Sequence, residues 1–407
     1  MKIRLVVAAG AFLAALSVPT AAVASAPAVT VTPLSLTFGA QNPEGPYSSQ
    51  AFTVANSGDA PLVISSVTVE NSAPGGGNDY TQTNNCYPFP RALAPGESCA
   101  ITIGFFPNAY GVRTGAVVIT DSAAGSPHRV PLTGYSYPFK AMYTLDGYGG
   151  LHPDNPISPV MTGTAYWPGW KIARAAVLLS DASGGYTLDG FGGLHQFGSA
   201  PQAVGAAYFG WDIARDVVLL PGSTATHAAG YVLDGWGALH PFGGALPIAG
   251  GPYWKAWDIA TKVNLLPDGS GGYVMDGWGG LHPFAVGTSA PPRGITDSAY
   301  WPHWSIARDF TLFSNSTPTT PAGVTLDGYG GVHPFGFSAA PGQLASGYWP
   351  GRNIACSVRV NPTSTPANPG GWEMEGFGGV HSFGGAQAVP GGAYWNWDIA
   401  VELVVVR

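Results

Sequence analysis

The chain has 407 residues, 59 of them Gly and 37 Pro, and a formal charge of −7 from 16 Lys+Arg against 23 Asp+Glu. No stretch gathers basic residues as a phosphate backbone requires, so no nucleic-acid partner is expected. Charged residues are 10% of the chain, against ~25% in an average soluble domain, and with so much Gly and Pro this is an all-β composition of short strands and tight turns.

Lys2 and Arg4 precede an apolar run of 12 residues from Leu5 to Leu16, then Pro19 and a small-residue stretch from Ala21 to Ala26. This reads as a signal peptide over residues 1–24, with cleavage after Ala24 of the Ala22-Val-Ala24 site. The apolar run is too short for the ~20 residues of a spanning helix, and no later segment qualifies. A secreted, extracellular location follows, with association to the cell wall left open.

Short alternating runs follow over residues 27–135: Val29 to Phe38, Gln50 to Ala55, Leu62 to Glu70, Cys99 to Phe106, Arg113 to Thr120 and Arg129 to Thr133. Turn chemistry such as Asn56-Ser-Gly-Asp59 and Ala94-Pro-Gly-Glu97 separates them, and together they predict a β-sandwich. Cys86 and Cys99 stand 13 positions apart. A bridge between them would close a loop worth about 3 kcal/mol in an oxidising compartment. Cys356, inside an apolar strand, is expected to be a buried, inert thiol.

The stretches Leu34-Ser-Leu-Thr-Phe-Gly39, Thr53 to Ile64, Leu93-Ala-Pro-Gly-Glu-Ser-Cys99 and Gly111-Val-Arg-Thr-Gly115 resemble the hydin-type, or choice-of-anchor D, immunoglobulin-like domain of secreted bacterial proteins. The resemblance implies a spacer or interaction module without an active site.

Residues 140–407 are a repeat. A hairpin half-motif, Tyr143-Thr-Leu-Asp-Gly-Tyr-Gly-Gly-Leu-His152, returns with Asp189, Asp234, Asp276, Asp327 and Glu375 in the place of Asp146, at intervals of 43, 45, 42, 51 and 48 residues. A strand half-motif, Tyr208 to Leu220, recurs around Ile172, Ile259, Ile306, Ile354 and Ile399. These intervals are the size of a propeller blade. One such sheet alone is marginal, and a ring of six buries both faces of each. A short outer strand is expected near Tyr253-Trp254. The segment opens on a hairpin and ends on a strand, so the simplest architecture is a six-bladed β-propeller whose C-terminal strand completes the first blade. An open array of hairpins is the alternative.

Each hairpin sets a carboxylate six positions before a histidine: Asp146 and His152, Asp189 and His195, Asp234 and His240, Asp276 and His282, Asp327 and His333, Glu375 and His381. Across a short loop the two side chains come within reach of a charge-assisted hydrogen bond, which makes six structural pairs. No metal site is expected, since the copies sit on different blades and strict ligand spacing is missing. No catalytic grouping and no cofactor are implied.

Tyr148, Phe191, Trp236, Trp278, Tyr329 and Phe377 hold the middle of the loops. Projecting from one rim they would offer flat faces to sugars, six weak sites gaining by multivalency; packing on the next blade is the competing role. Trp170, Trp211, Trp257, Trp304 and Trp397, with Tyr166, Tyr253, Tyr300, Tyr348 and Tyr394, are expected to pack between blades as core. Arg174, Arg215 and Arg308 would line one sector of the channel.

The repeats resemble those of secreted actinobacterial propeller proteins with a similar D-G-x-G-G-h-H-P-F-G hairpin, which implies fold and location alone. The expected function is a secreted or wall-associated, non-catalytic binding or adhesion protein whose partner is a glycan or cell-surface polymer. A carbohydrate-active hydrolase or lyase on the same scaffold, and a purely structural envelope protein, are the alternatives. Oligomeric state is not legible.

Overall fold

The structure is a computed structural model that describes residues 25–41, 47–71, 78–155, 158–336, 344, 346–389 and 391–406. The expected signal peptide, residues 1–24, lies outside the described residues. Among these residues every regular element is a β-strand.

Nine strands come first: β1 (Val29–Thr32), β2 (Leu36–Ala40), β3 (Ser48–Asn56), β4 (Leu62–Asn71), β5 (Tyr80–Asn84), β6 (Arg91–Leu93), β7 (Ser98–Phe105), β8 (Gly111–Asp121) and β9 (His128–Ser136). They form an immunoglobulin-like pair of sheets, ordered β1-β3-β7-β5 and β2-β9-β8-β4-β6. Alternation decides which side chains face inward. In β7, Cys99, Ile101, Ile103 and Phe105 are buried while the residues between them are not, and Phe38, Phe52, Ile64 and Ile119 meet them from the other strands. The run expected to be continuous from Val29 to Phe38 instead breaks around Pro33: β1 pairs antiparallel with β3, and β2 pairs parallel with β9 in the other sheet. A proline has no amide to donate to a ladder, so the chain changes sheets there. β5 and β6 escape the sequence reading because Tyr-Thr-Gln-Thr-Asn has no apolar alternation and Arg-Ala-Leu is only three residues. Cys86 and Cys99 are bridged, their Cα atoms 5.3 Å apart, tying the loop after β5 to the start of β7.

The rest of the chain forms six small antiparallel sheets in a propeller-like arrangement. Each has an inner strand, a middle strand and an outer strand, as in Ala173–Leu178, Gly184–Asp189 and Leu194–Gly198. The six inner strands are Ala173–Leu178, Ala214–Leu219, Ala260–Leu265, Ala307–Leu312, Ala355–Val360 and Ala400–Val406, and each packs against the next. The last of them pairs with the first middle strand, Ala141↔Val406 through Asp146↔Ala400, and lies against both Ala173–Leu178 and Ala355–Val360. Middle strands are buried on both faces, as their position between neighbouring sheets demands. The outer strand expected near Tyr253-Trp254 is displaced: Ile248–Ala249 pairs with Val286 and Ala285 of the following sheet, and Tyr253-Trp254 belongs to a loop.

Register fixes the two ends of this assembly. Hairpin loops follow the middle strands next to the starts of the inner strands, as Ala173↔Asp189 and Ala214↔Asp234 show, so all six loops share one end. The chain arriving from β9 enters at the opposite end, where Lys140 donates to the carbonyl of Val406. There Tyr137 stacks on Phe139, and Phe139 meets the edge of Trp372 at 5.3 Å.

Candidate functional site

The hairpin is built around its carboxylate. In the first, Asp146 Oδ1 accepts the amides of Tyr148 (2.8 Å) and Gly150 (3.0 Å), while Oδ2 lies 2.8 Å from His152 Nε2. Gly149 has φ +93°, and a Cβ there would stand 2.4 Å from the Ala165 carbonyl; a Cβ on Gly150 would strike Asp146 Oδ2 at 2.4 Å and His152 Nε2 at 2.7 Å. Glycine is therefore required at 149 for the turn, while a Cβ at 150 needs a local shift: the third hairpin carries Ala238 there and keeps both the Asp234 cap and the contact to His240. The same 2.8 Å contact joins Asp189 to His195, Asp234 to His240, Asp276 to His282 and Asp327 to His333. In the sixth, the longer Glu375 divides its oxygens, Oε2 accepting from Phe377 and Oε1 from Gly379. Burial alone would raise Asp189 and Asp327, yet the histidine and the two amides hold both below the usual carboxylate range.

Each histidine ring then meets an aromatic of the preceding sheet's connection edge-on. The pairs are Trp167 with His195, Phe209 with His240, Trp254 with His282, Trp301 with His333, Trp349 with His381 and, between the last sheet and the first, Trp395 with His152, all at 4.8–5.1 Å between centroids. These contacts staple sheet to sheet. Among the described residues no cluster of three or more His, Cys, Asp or Glu side chains is placed to hold a metal.

The aromatic set expected in the core is on the surface. Trp170, Trp211, Trp257, Trp304 and Trp397 are 47–54% exposed, and Tyr166, Tyr253, Tyr300, Tyr348 and Tyr394, joined by Tyr208, are 52–70% exposed. The inter-sheet role falls instead to the residue after each tyrosine, the one set edge-on to the histidine. The loop aromatics Tyr148, Phe191, Trp236, Trp278, Tyr329 and Phe377 are half-buried between the exposed rings. Phe191 lies 5.8 Å from Trp170 and 6.3 Å from Tyr208; Trp236 lies 5.6 Å from Trp211 and 6.4 Å from Tyr253; Trp278 lies 5.3 Å from Trp257 and 6.5 Å from Tyr300. Tyr329 sits beside Trp304, Tyr148 beside Tyr166, and Arg352 stands 5.8 Å over Phe377 where the repeat elsewhere has Trp. The result is a chain of aromatic clusters around the loop end.

Polar groups flank these rings. Arg174 reaches across to Asp212, Arg215 to Asp258 and Arg308 to Asn353, each bridging to the residue that follows an exposed Trp or Arg352. The three arginines therefore link neighbouring sheets at the loop end.

A group that the sequence reading missed lies where the inner strands converge. Asp216, Lys262, Asp309 and Glu402 are buried there, and Arg359 bonds both Asp309 and Glu402. Lys262 Nζ is 3.2 Å from Glu402 and 3.5 Å from Asp216. Burial would lower Lys262, but the carboxylates around it hold it above its ordinary value, whereas burial pushes Asp216 above the usual carboxylate range. The available signal was a charged residue at the third position of four of the six inner strands, Asp216, Lys262, Asp309 and Glu402. Cys356 is half-buried, donates to the Met374 carbonyl, and has its thiol pushed well up by burial.

No family model matches the sequence, and no curated protein matches it. Among solved structures, the chain is similar to a quinoprotein alcohol dehydrogenase-like protein from Bacteroides thetaiotaomicron, at 8% identity over 94% of this chain and 99% of that one, with a TM-score of 0.35. It is also similar to a PapD-like domain of human CEP192, at 18% identity over 31% of this chain and 96% of that one, TM-score 0.21. A third similarity is to the CsuC–CsuE chaperone and tip adhesion subunit complex of Acinetobacter baumannii, at 8% identity over 73% and 93%, TM-score 0.21. Similarity at this level carries over neither family nor activity.

Proposed function

We propose that this is an exported, non-catalytic binding protein in which a hydin-type immunoglobulin-like domain, residues 27–135, carries a six-bladed propeller, residues 140–407. In this reading the C-terminal strand closes the ring, and the aromatic end grips a glycan or another polymer of a cell surface. One observation carries it: the loop end repeats an exposed Tyr and, in five repeats of six, an exposed Trp on either side of a half-buried ring. Single exposed apolar residues need no explanation, but a continuous set of them marks an interaction surface. Flat rings beside Asp212, Asp258 and Arg215 match the alternating apolar faces and hydroxyl edges of a sugar, and weak sites around one rim add by multivalency. The pairing of Ala400–Val406 with Ala141–Asp146 supports closure, and the disulfide suits an oxidising, extracytoplasmic setting.

The test is a glycan array with pull-down on insoluble cell-wall polysaccharide, comparing the parent protein with a Trp211→Ala, Trp257→Ala double variant. Both rings are half exposed, so folding is retained. At ~1 kcal/mol or more per lost ring, binding should fall at least about tenfold. Unchanged binding, or no polymer bound by the parent, would sink the proposal.

A further inference from the structure

The third residues of the six inner strands are Ala175, Asp216, Lys262, Asp309, Ser357 and Glu402. The repeats agree closely elsewhere and disagree here. Ala175 and Ser357 show that the position tolerates a small side chain, so ring geometry does not demand charge. Three buried carboxylates face two cations, Lys262 and Arg359, and desolvating each ion costs several kcal/mol before any pairing. A structural plug would be better served by apolar residues.

Beyond this cluster, toward the end opposite the aromatic loops, the axis opens into a cavity of about 330 Å3. That is room for about eleven waters at ~30 Å3 each, within the range of small-ligand pockets. Every inner strand contributes to it. Val177, Leu219, Leu265, Leu312 and Val404 form apolar walls, and its charged lining is Asp216, Glu402 and Arg359, two carboxylates against one guanidinium. Asp216 is the least compensated of the group: Lys262 approaches it only to 3.5 Å, and its other partners are the amides of Val217 and Val263.

We propose that this axial cavity binds a small organic ammonium ion, its charge set against Asp216 and Glu402 and its apolar body against the valine and leucine walls. The net negative lining selects a cation over an anion, and the walls select an amine with a hydrocarbon body over a bare metal ion. Because burial raises Asp216 above the usual carboxylate range, the incoming cation favours its ionised form, so affinity rises with pH. The site is distinct from the aromatic end and stands or falls independently of it.

Isothermal titration of the mature chain with 2-phenylethylamine and hexylamine, against phenylacetate and 2-phenylethanol, tests this. Both amines should bind, the acid and alcohol should not, and amine affinity should rise with pH between pH 5 and pH 8. Asp216→Asn should weaken binding at least tenfold and flatten the pH dependence. Since Asp216 also accepts two backbone amides, Leu219→Trp provides a second variant that fills the cavity without touching a charge, and it should also block binding. Failure of both amines to bind overturns the proposal. So does equal binding of phenylacetate, full binding by either variant, or loss of amine binding in Trp211→Ala, Trp257→Ala, which would place the amine on the aromatic face.

Discussion

Asp276 shows how much one side chain does in a repeat of this size. It caps two loop amides, those of Trp278 and Gly280, and positions His282 against Trp254 on the neighbouring sheet. Asp276→Ala strands two part-buried amides and frees the ring, and should cost about 2–3 kcal/mol in denaturant unfolding. Glu373 is the opposite case. It is fully buried at a position where other repeats have Thr144, Thr187 and Thr325, and burial pushes it up to about 8, the Gly347 amide offsetting only part. The folded state therefore holds a proton that the unfolded chain has given up above about pH 4.5. Stability should fall as pH rises from there to about 8 and then level off. Glu373→Thr should remove that slope and raise Tm at pH 8 by roughly 2 °C per kcal/mol recovered; an unchanged pH profile would show that the carboxyl is solvated.

At the scale of elements, three short strands cannot hold themselves together, and each sheet depends on its neighbours through the histidine–aromatic staples and the double-sided burial of the middle strands. The dependence is greatest where the chain ends meet. Leu403, Val404 and Val406 are buried against residues such as Met142, Tyr143 and Trp372, and three such side chains contribute ~1.5–3 kcal/mol each, comparable with the stability of a whole domain. Deleting residues 399–407 should unfold all six sheets and leave β1–β9 folded. No tryptophan precedes Trp167, so tryptophan emission reports the six sheets alone: it should shift to the red in the truncated protein while one calorimetric transition survives. Native emission would count against a closed ring.

At the scale of the molecule, the sheets divide the two ends between different chemistries. Exposed rings and the Arg174–Asp212 and Arg215–Asp258 pairs collect where the hairpins turn, the linker from β9 enters at the other end, and a buried charge cluster lies between the inner strands. The all-β class, the hairpin order and the Cys86–Cys99 bridge were all written in local sequence, because turn chemistry, alternation and loop length act over a few residues. Which rings face water was not. Trp211 and Trp254 both lie in the connections before inner strands, yet Trp254 meets a histidine of the next sheet while Trp211 stays exposed beside Trp236. Asp216, Lys262, Asp309, Arg359 and Glu402 are spread over 187 positions of the chain, and only the meeting of inner strands makes them one group. Local sequence set the period and the folding of each unit; exposure and charge convergence depend on what neighbouring units place alongside, and that was decided by the tertiary structure alone.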